Sequence, residues 1–382
     1  MMDWGQLQAS LVIFFLAVGL IFLTNWRELR LLSHYGHPSD TPLVSVLVPA
    51  RNEERALERC LRSLLSQDYG NFEVLVLDDH SSDDTEAIIL RLAQEDVRLR
   101  PIQGADLPPG WLGKHWACQQ LVEKAQGSLL LFTDADTFHH PQALANAVSA
   151  QQQENADMLT AFPRQILGSW GEKLTVPLFG WSFLCFQPIL LIHRTGLHGL
   201  SVAVGQFMLF RREALAQVGG FASVRGDVAD DLALARATKN CGLRLRVMDG
   251  TDRIDCRMYH DFKEASAGFS KNLFAAFRYN LPLFLFVWPL IAYATWSPLV
   301  TLLYALFLPL PLSVLGWSLA ASLLSFLLWF FTCRRLHFPL SVALAGPLII
   351  LVALFIATRS LIGAYSGKGT WKGRHLKIDR SR

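Results

Sequence analysis

Val44-Ser-Val-Leu-Val-Pro-Ala-Arg-Asn-Glu-Glu54 is an apolar run that stops at a proline and turns to charge. Consecutive rather than alternating apolar positions predict a strand covered on both faces, as in parallel sheets. Pro49 closes this predicted strand. The period then changes. Leu57, Cys60, Leu61, Leu64 and Leu65 follow the i, i+3, i+4 spacing of one buried helix face. A second apolar run, Phe72 to Leu77, ends in Asp78-Asp79, and Ser81-Ser82-Asp83-Asp84 then starts a capped helix reaching about Ala93. A third run, Ser128 to Thr133, ends in Asp134-Ala135-Asp136. This alternation predicts an α/β domain over 41–272 with a mostly parallel central sheet.

Ligands of such sheets sit beyond the carboxyl ends of the strands. Acids at a single strand end commonly serve as helix caps. Here two strands end in paired acids that converge on one sheet edge, which favours a binding site. Gly-x-Gly-x-x-Gly is absent, so a dinucleotide site of that type has no support. Gly113-Lys114 precedes His115 rather than Ser or Thr, which excludes a Walker A loop.

The flanks are of a different kind. The chain is 52% hydrophobic and only 18% charged, with a mean hydropathy of +0.29. No charged residue lies between Asp3 and Arg27 or between Arg278 and Arg334, and Phe338 to Thr358 is a third apolar stretch. A helix needs about 20 apolar residues to cross a bilayer, so each stretch is long enough. The first, within 1–27, reads as an anchor and not a signal peptide, lacking a basic leader and a small-x-small cleavage site. Arg27 and Arg30 follow it, so its N-terminus is expected outside and the domain after it in the cytoplasm. The region 279–362 holds two spans around a turn at Pro309 and Pro311, then a further stretch around Leu340 to Leu361. Charge sets a conflict there. Arg334-Arg335 and the basic tail, 363–382, both call for the cytoplasmic side, although one apolar stretch separates them. A re-entrant or interfacial stretch would resolve it; the span count stays open, with the tail kept inside.

The net charge of +3 is small and concentrated in the tail, so it suits anionic lipid headgroups and not nucleic acid. The six cysteines form no C-x-x-C pair and read as small buried hydrophobes.

Three segments, Val44 to Glu54, Leu77-Asp-Asp-His-Ser-Ser-Asp83 and Thr133-Asp-Ala-Asp136, resemble those of membrane-bound family 2 glycosyltransferases of the GT-A fold. The match runs from about Leu43 to Asn272. Gly110-Trp-Leu-Gly-Lys-His-Trp-Ala117, Gly205-Gln-Phe-Met-Leu-Phe-Arg-Arg-Glu213 and Gly268-Phe-Ser-Lys-Asn272 are similar to the subgroup that glycosylates carotenoids, hopanoid-type terpenoids and related lipids. The resemblance implies a nucleotide-sugar donor, such as UDP-glucose, and a membrane-lipid acceptor. It makes Asp136 a metal ligand and Asp134 a partner to the ribose or metal. Asp78 or Asp79 would hold the nucleobase, with Pro49, Ala50, Asn52 and Glu53 lining its pocket. Lys114 would meet the diphosphate as a point charge. Carboxylate oxygens suit Mg²⁺ or Mn²⁺, which would offset charge developing on the leaving diphosphate.

By the same resemblance Asp231, the second acid of Asp230-Asp231, is the base that deprotonates the acceptor; the family more often carries Glu-Asp here. The pair also opens a helix reaching about Asn240, so both acids could simply complement its N-terminus. A helix N-terminus lowers a carboxylate pKa, whereas a base works best near ambient pH. Burial among other carboxylates would offset this. Gln206, Lys271 and Asn272 are expected to line the site or meet the acceptor, with Arg257 and Trp371-Lys-Gly-Arg374 as further candidates.

Processive members carry a Gln/Arg-x-x-Arg-Trp motif after the base, and none is present. The expected reaction is therefore one inverting transfer to a lipid. Phe274, Phe277 and Tyr279 lead into the membrane and suit an acceptor drawn from the bilayer or an interfacial anchor. A polyprenyl-phosphate or ceramide acceptor is the nearest alternative, and a catalytically silent membrane scaffold belongs to a different class. The sugar, the nucleotide base, the lipid and the oligomeric state are not readable from these residues.

Overall fold

The computed structural model describes residues 3–197 and 199–366, and by backbone alone 370–371 and 374–375. Two compact units emerge. One comprises Leu29–Ile166 and Ile189–Met258; the other comprises the N-terminal stretch to Glu28, Leu167–Pro188 and Tyr259–Ser366.

The first unit is built on eight strands: β1 (Val44–Ala50), β2 (Phe72–Asp78), β3 (Leu99–Gln103), β4 (Leu129–Phe132), β5 (Thr137–His139), β6 (Met158–Gln165), β7 (Met208–Arg211) and β8 (Leu245–Cys256). Their spatial order is β3-β2-β1-β4-β7-β6-β8-β5. The pairs β3-β2, β2-β1, β1-β4 and β6-β8 are parallel, and β4-β7, β7-β6 and β8-β5 are antiparallel. The parallel portion holds the runs read from sequence. Val44, Val46, Leu47 and Val48 are all fully buried, which explains why apolar residues stand on both faces of the strand.

Pro49 does not end β1, which continues to Ala50. The register shows why. β4 pairs with β1 only over Val44–Leu47, whereas β2 pairs along its whole length, so the N–H that Pro49 lacks is not needed on the β4 side. The helix predicted to follow β1 spans Leu57–Leu65 and buries Leu57, Cys60, Leu61 and Leu64. The helix after β2 spans Thr85–Glu95.

The second unit is helical. Trp4–Glu28, Leu281–Tyr304, Leu312–Arg335 and Gly346–Ser366 are each long and apolar enough to cross a membrane by length and composition. Large apolar side chains stay exposed along them, with Ile13 at 68% and Leu20 at 65%, as expected of lipid-facing positions. Inward, polar side chains join the helices. The Gln8 amide donates to the hydroxyls of Ser297 (2.9 Å) and Thr301 (3.2 Å), and Asn25 Nδ2 donates to the carbonyls of Leu184 and Gln187. Trp181 stacks on Trp329 with ring centroids 4.9 Å apart. Lys271 and Asn272 lie on the helix Phe262–Ala276 of this unit.

Trp371 and Arg374 fall in a short antiparallel pair, Thr370–Trp371 with Arg374–His375. Lys372, Gly373 and the tail from 376 onward lie outside the described residues.

Candidate active site

The carboxyl ends of β1 and β2 come together first. The Asp79 N–H donates to the Ala50 carbonyl at 2.8 Å, and the Arg51 guanidinium donates to the Asp79 carbonyl. Asn52 adopts a left-handed backbone, φ 53°, a conformation its short amide tolerates. Its N–H donates to Ser81 Oγ, and its Oδ1 accepts from the Ser82 N–H at 2.9 Å. The Glu53 N–H donates to Thr85 Oγ1. The two predicted nucleobase loops are thus one braced structure. Asp78 and Asp79 are buried in it, and Asp78 Oδ1 has no hydrogen-bond partner among the described residues. The Gly104 N–H donates to the Asp78 carbonyl, and a Cβ at Gly104 would lie 2.8 Å from that oxygen.

The end of β4 is buttressed from below. Thr133 Oγ1 donates to the Gln206 carbonyl at 2.9 Å and meets Thr137 Oγ1 and His139 Nε2 at 2.9 and 3.0 Å. Burial lowers the His139 pKa to about 3, so this imidazole stays neutral. It supports the Asp134–Asp136 turn without adding charge to it. Thr137 Oγ1 donates to the Asp134 carbonyl, fixing the same turn.

Four of the predicted residues meet in one charged cluster. Lys114 Nζ lies 2.6 Å from Asp134 Oδ1 and 3.9 Å from Asp230 Oδ2. Lys114 belongs to the first turn of the helix Gly113–Lys124, and Asp230 and Asp231 to the first turn of the helix Asp230–Asn240. Gly205 completes the arrangement. Its N–H donates to Asp231 Oδ2 at 3.2 Å, while the Leu232 N–H donates to Oδ1 at 2.7 Å. A Cβ at Gly205 would sit 3.4 Å from Lys114 Nζ.

Each charge is tuned by this crowding. Burial and the neighbouring Asp230 raise the Asp231 pKa to about 6, against the lowering pull of the Leu232 N–H, Lys114 and Gly205. The tension between helix terminus and base is thereby decided in favour of a raised value. Burial pulls the Lys114 pKa down, but Asp134 and Asp230 more than offset it and hold the ammonium charged. Burial raises Asp136 to about 7, with Asp134 and Glu53 adding repulsion. Cys256 Sγ, 3.6 Å from Asp136 Oδ1, is its hydrogen-bond donor.

These donors fit a hard divalent cation. Asp136 is a carboxylate made costly to ionise by burial and by two neighbouring acids, a cost that a bound cation relieves. Among the described residues no group of three or more His, Cys, Asp or Glu side chains is arranged to hold a metal. Mg²⁺ is commonly held by one or two carboxylates, its other positions being filled by phosphate oxygens and water.

Gln206 is buried and accepts from Gln165 Nε2 at 3.1 Å. Gln165 escaped the sequence reading, because it lies at the end of β6 with no motif around it. Its Oε1 is buried and has no hydrogen-bond partner among the described residues. Arg257 meets Asp136 through the backbone, N–H to carbonyl at 3.4 Å.

Comparison with known proteins bears on this geometry. Residues 45–219 match the model of the glycosyl transferase family 2 family. A beta-monoglucosyldiacylglycerol synthase of Trichormus variabilis is 30% identical over 200 residues, covering 50% of this chain and 40% of its own length. The chain thus spans well under two thirds of that relative. A 4,4'-diaponeurosporenoate glycosyltransferase of Staphylococcus aureus is 24% identical over 279 residues, 71% of each chain. A mannosyltransferase of Pyrobaculum calidifontis, solved with GDP-Man and Mn²⁺, covers 94% of this chain and 92% of its own. Its TM-score of 0.50 at 19% identity is a likeness of fold. Residues 45–219 of this chain are therefore a family 2 glycosyltransferase domain, set in a GT-A-like mixed sheet.

Proposed function

We propose that the protein moves a hexose, such as glucose from UDP-glucose, onto a hydroxyl or carboxyl group of a membrane lipid, with inversion at the anomeric carbon. The observation that carries this is the single cluster of Asp134, Lys114, Asp230 and Asp231, in which an ammonium lies among carboxylates from the end of β4 and the start of the helix Asp230–Asn240. Asp231, with its pKa near 6, is ionised at neutral pH and still basic enough to take the acceptor proton. The acceptor oxygen attacks the anomeric carbon as the bond to the diphosphate breaks. Lys114 then faces the leaving diphosphate in place of Asp134, and charge is stabilised where it develops. Asp136, with Asp134, would hold Mg²⁺ or Mn²⁺, which neutralises diphosphate charge when bound. Asp78, Asp79 and the Pro49–Glu53 loop would receive the nucleobase, and Gln206 would line the acceptor side. Lys271 and Asn272 belong to the acceptor region on this reading.

A lipid acceptor is favoured by the apolar helices and by relatives named for diacylglycerol and diaponeurosporenoate glycosylation. We assign the catalytic domain to 41–272, facing the cytoplasm, with an anchor at 1–27, a membrane region at 279–362 and a basic tail at 363–382. The test uses membranes carrying wild type or Asp231→Ala, radiolabelled UDP-glucose and Mn²⁺ or Mg²⁺, followed by lipid extraction. Label in an organic-soluble product from wild type alone is the expected result. Equal labelling by the mutant overturns the base. Label in insoluble polymer overturns the single transfer, and no product across nucleotide sugars and lipid extracts favours a scaffold.

A further inference from the structure

The helix Gly346–Ser366 has the length and hydropathy of a fourth crossing. Its contacts within the helical unit describe something else. Leu281–Tyr304 and Leu312–Arg335 form a hairpin joined through residues 305–311, so Leu281 and Arg335 mark one end and Tyr304 and Leu312 the other. The helix Trp4–Glu28 confirms this order. Trp4 Nε1 donates to Thr301 Oγ1, and Gly5 faces Val314, while Trp26 meets Phe331 and the Arg335 guanidinium.

Gly346–Ser366 starts deep and leaves at the Arg335 end. At its start a Cβ on Gly346 would lie 2.7 Å from the Trp329 ring, and the Pro347 carbonyl accepts from Trp296 Nε1 at 3.0 Å. Trp329 is six residues before Arg335, about 9 Å along the helix. At its finish Ser360 Oγ accepts from the Phe274 N–H at 3.0 Å, and the Tyr365 ring stacks near Phe274 at 6.3 Å. Phe274 packs on Phe284, in the first turn of Leu281–Tyr304. The helix therefore runs antiparallel to Leu281–Tyr304 and points the same way as Leu312–Arg335.

Two consecutive helices that point the same way both cross a bilayer only if the link between them returns across it. This link does not. Phe338 N–H closes the end of Leu312–Arg335 by donating to the Cys333 carbonyl at 2.9 Å, with His337 left-handed at φ 58°. The short helix Leu340–Leu344 then packs back on Leu312–Arg335 and delivers Gly346 to Trp329. Pro347, which cannot donate to a preceding turn, marks the reversal.

We infer that residues 340–366 form a re-entrant element that enters the bilayer and leaves on the side it entered, so that three helices cross the bilayer. Two further features agree. Arg359 lies two thirds of the way along the helix and donates to Ser266 Oγ at 2.8 Å, a position that is costly inside a crossing helix and ordinary at an interface. The element also puts Arg334, Arg335 and Ser366, the last residue before the basic tail, on one side, which answers the charge conflict in the sequence. None of this depends on the reaction proposed above.

The test is cysteine accessibility in sealed membrane vesicles, with Cys241→Ser as background and a membrane-impermeant maleimide as probe. Ser313→Cys, His337→Cys and Ser366→Cys lie at exposed positions. The expected result is that His337→Cys and Ser366→Cys label together, and Ser313→Cys labels only from the opposite face. Labelling of Ser366→Cys with Ser313→Cys overturns the inference, as does labelling of all three from one face. A C-terminal epitope on the otherwise native chain, probed by protease in the same vesicles, supplies an independent readout. Its digestion from the face that exposes Ser313→Cys likewise overturns the proposal.

Discussion

Lys114 Nζ lies 2.6 Å from Asp134 Oδ1 although twenty residues and a strand separate them in the chain. The pair joins the first turn of the helix Gly113–Lys124 to the carboxyl end of β4. Without a donor, Asp134 neutralises Lys114. With one, the diphosphate would take that role.

Lys114→Met should lower kcat by about 10²- to 10³-fold, the usual loss when a preorganised charge partner is removed. It should also weaken nucleotide binding, measured as a rise in Kd for UDP. Lys114→Arg should recover only part of this, because a planar guanidinium does not fit the space of a point charge beside Gly205.

Asp231→Asn keeps the shape and removes the proposed base. Its rate should fall by about 10²- to 10⁴-fold with the donor Kd little changed. In the wild type the rate should rise with pH through an acid limb centred near 6, since the protonated carboxyl cannot accept a proton and the ionised form can. A pH–rate profile in Asp231→Asn that retains this limb would assign it to another group.

Asp136 carries a raised pKa, so protonation favours the folded state. Its contribution is present below the ordinary carboxylate value of about 3.8 and is lost as the pH rises through about 7. Asp136→Asn should therefore raise the Tm of the metal-free protein at pH 7.5. Adding Mn²⁺ and UDP should raise the Tm of the wild type and not that of the variant. Thermal scans in chelator and in metal check both halves.

Gly104→Ala should disturb the base pocket before it disturbs the fold. The new methyl would stand 2.8 Å from the Asp78 carbonyl, a backbone atom that moves only with the loop. The expected outcome is a higher donor KM with kcat changed less, read from initial rates at varied UDP-sugar.

Much of this was legible in order along the chain. The runs at β1, β2 and β4 carry apolar residues on both faces because both faces are covered, with Ser45 and Glu73 as buried exceptions, so composition marks them. The acids after β2 and β4 were visible as candidates because strand ends are where such sheets bind ligands. The strands β3 and β5 to β8 carry no such mark. β5 spans only three residues, and β8 carries Asp249, Asp252, Arg253 and Asp255 within its run. Gln165 had no local signal at all, since its role comes from contact with Gln206.

The sequence by itself determined the α/β alternation, the apolar flanks and the identity of every charged group in the cluster, because local periodicity and side-chain chemistry are properties of the chain. Only the tertiary structure decided that Lys114 binds Asp134, that Gly205 holds Asp231, and that crowding outweighs the helix terminus in setting the Asp231 pKa. It decided likewise that Gly346–Ser366 turns back beside Phe274. Hydropathy measures how well a segment tolerates lipid and carries no direction, whereas direction is set by which neighbours the two ends meet.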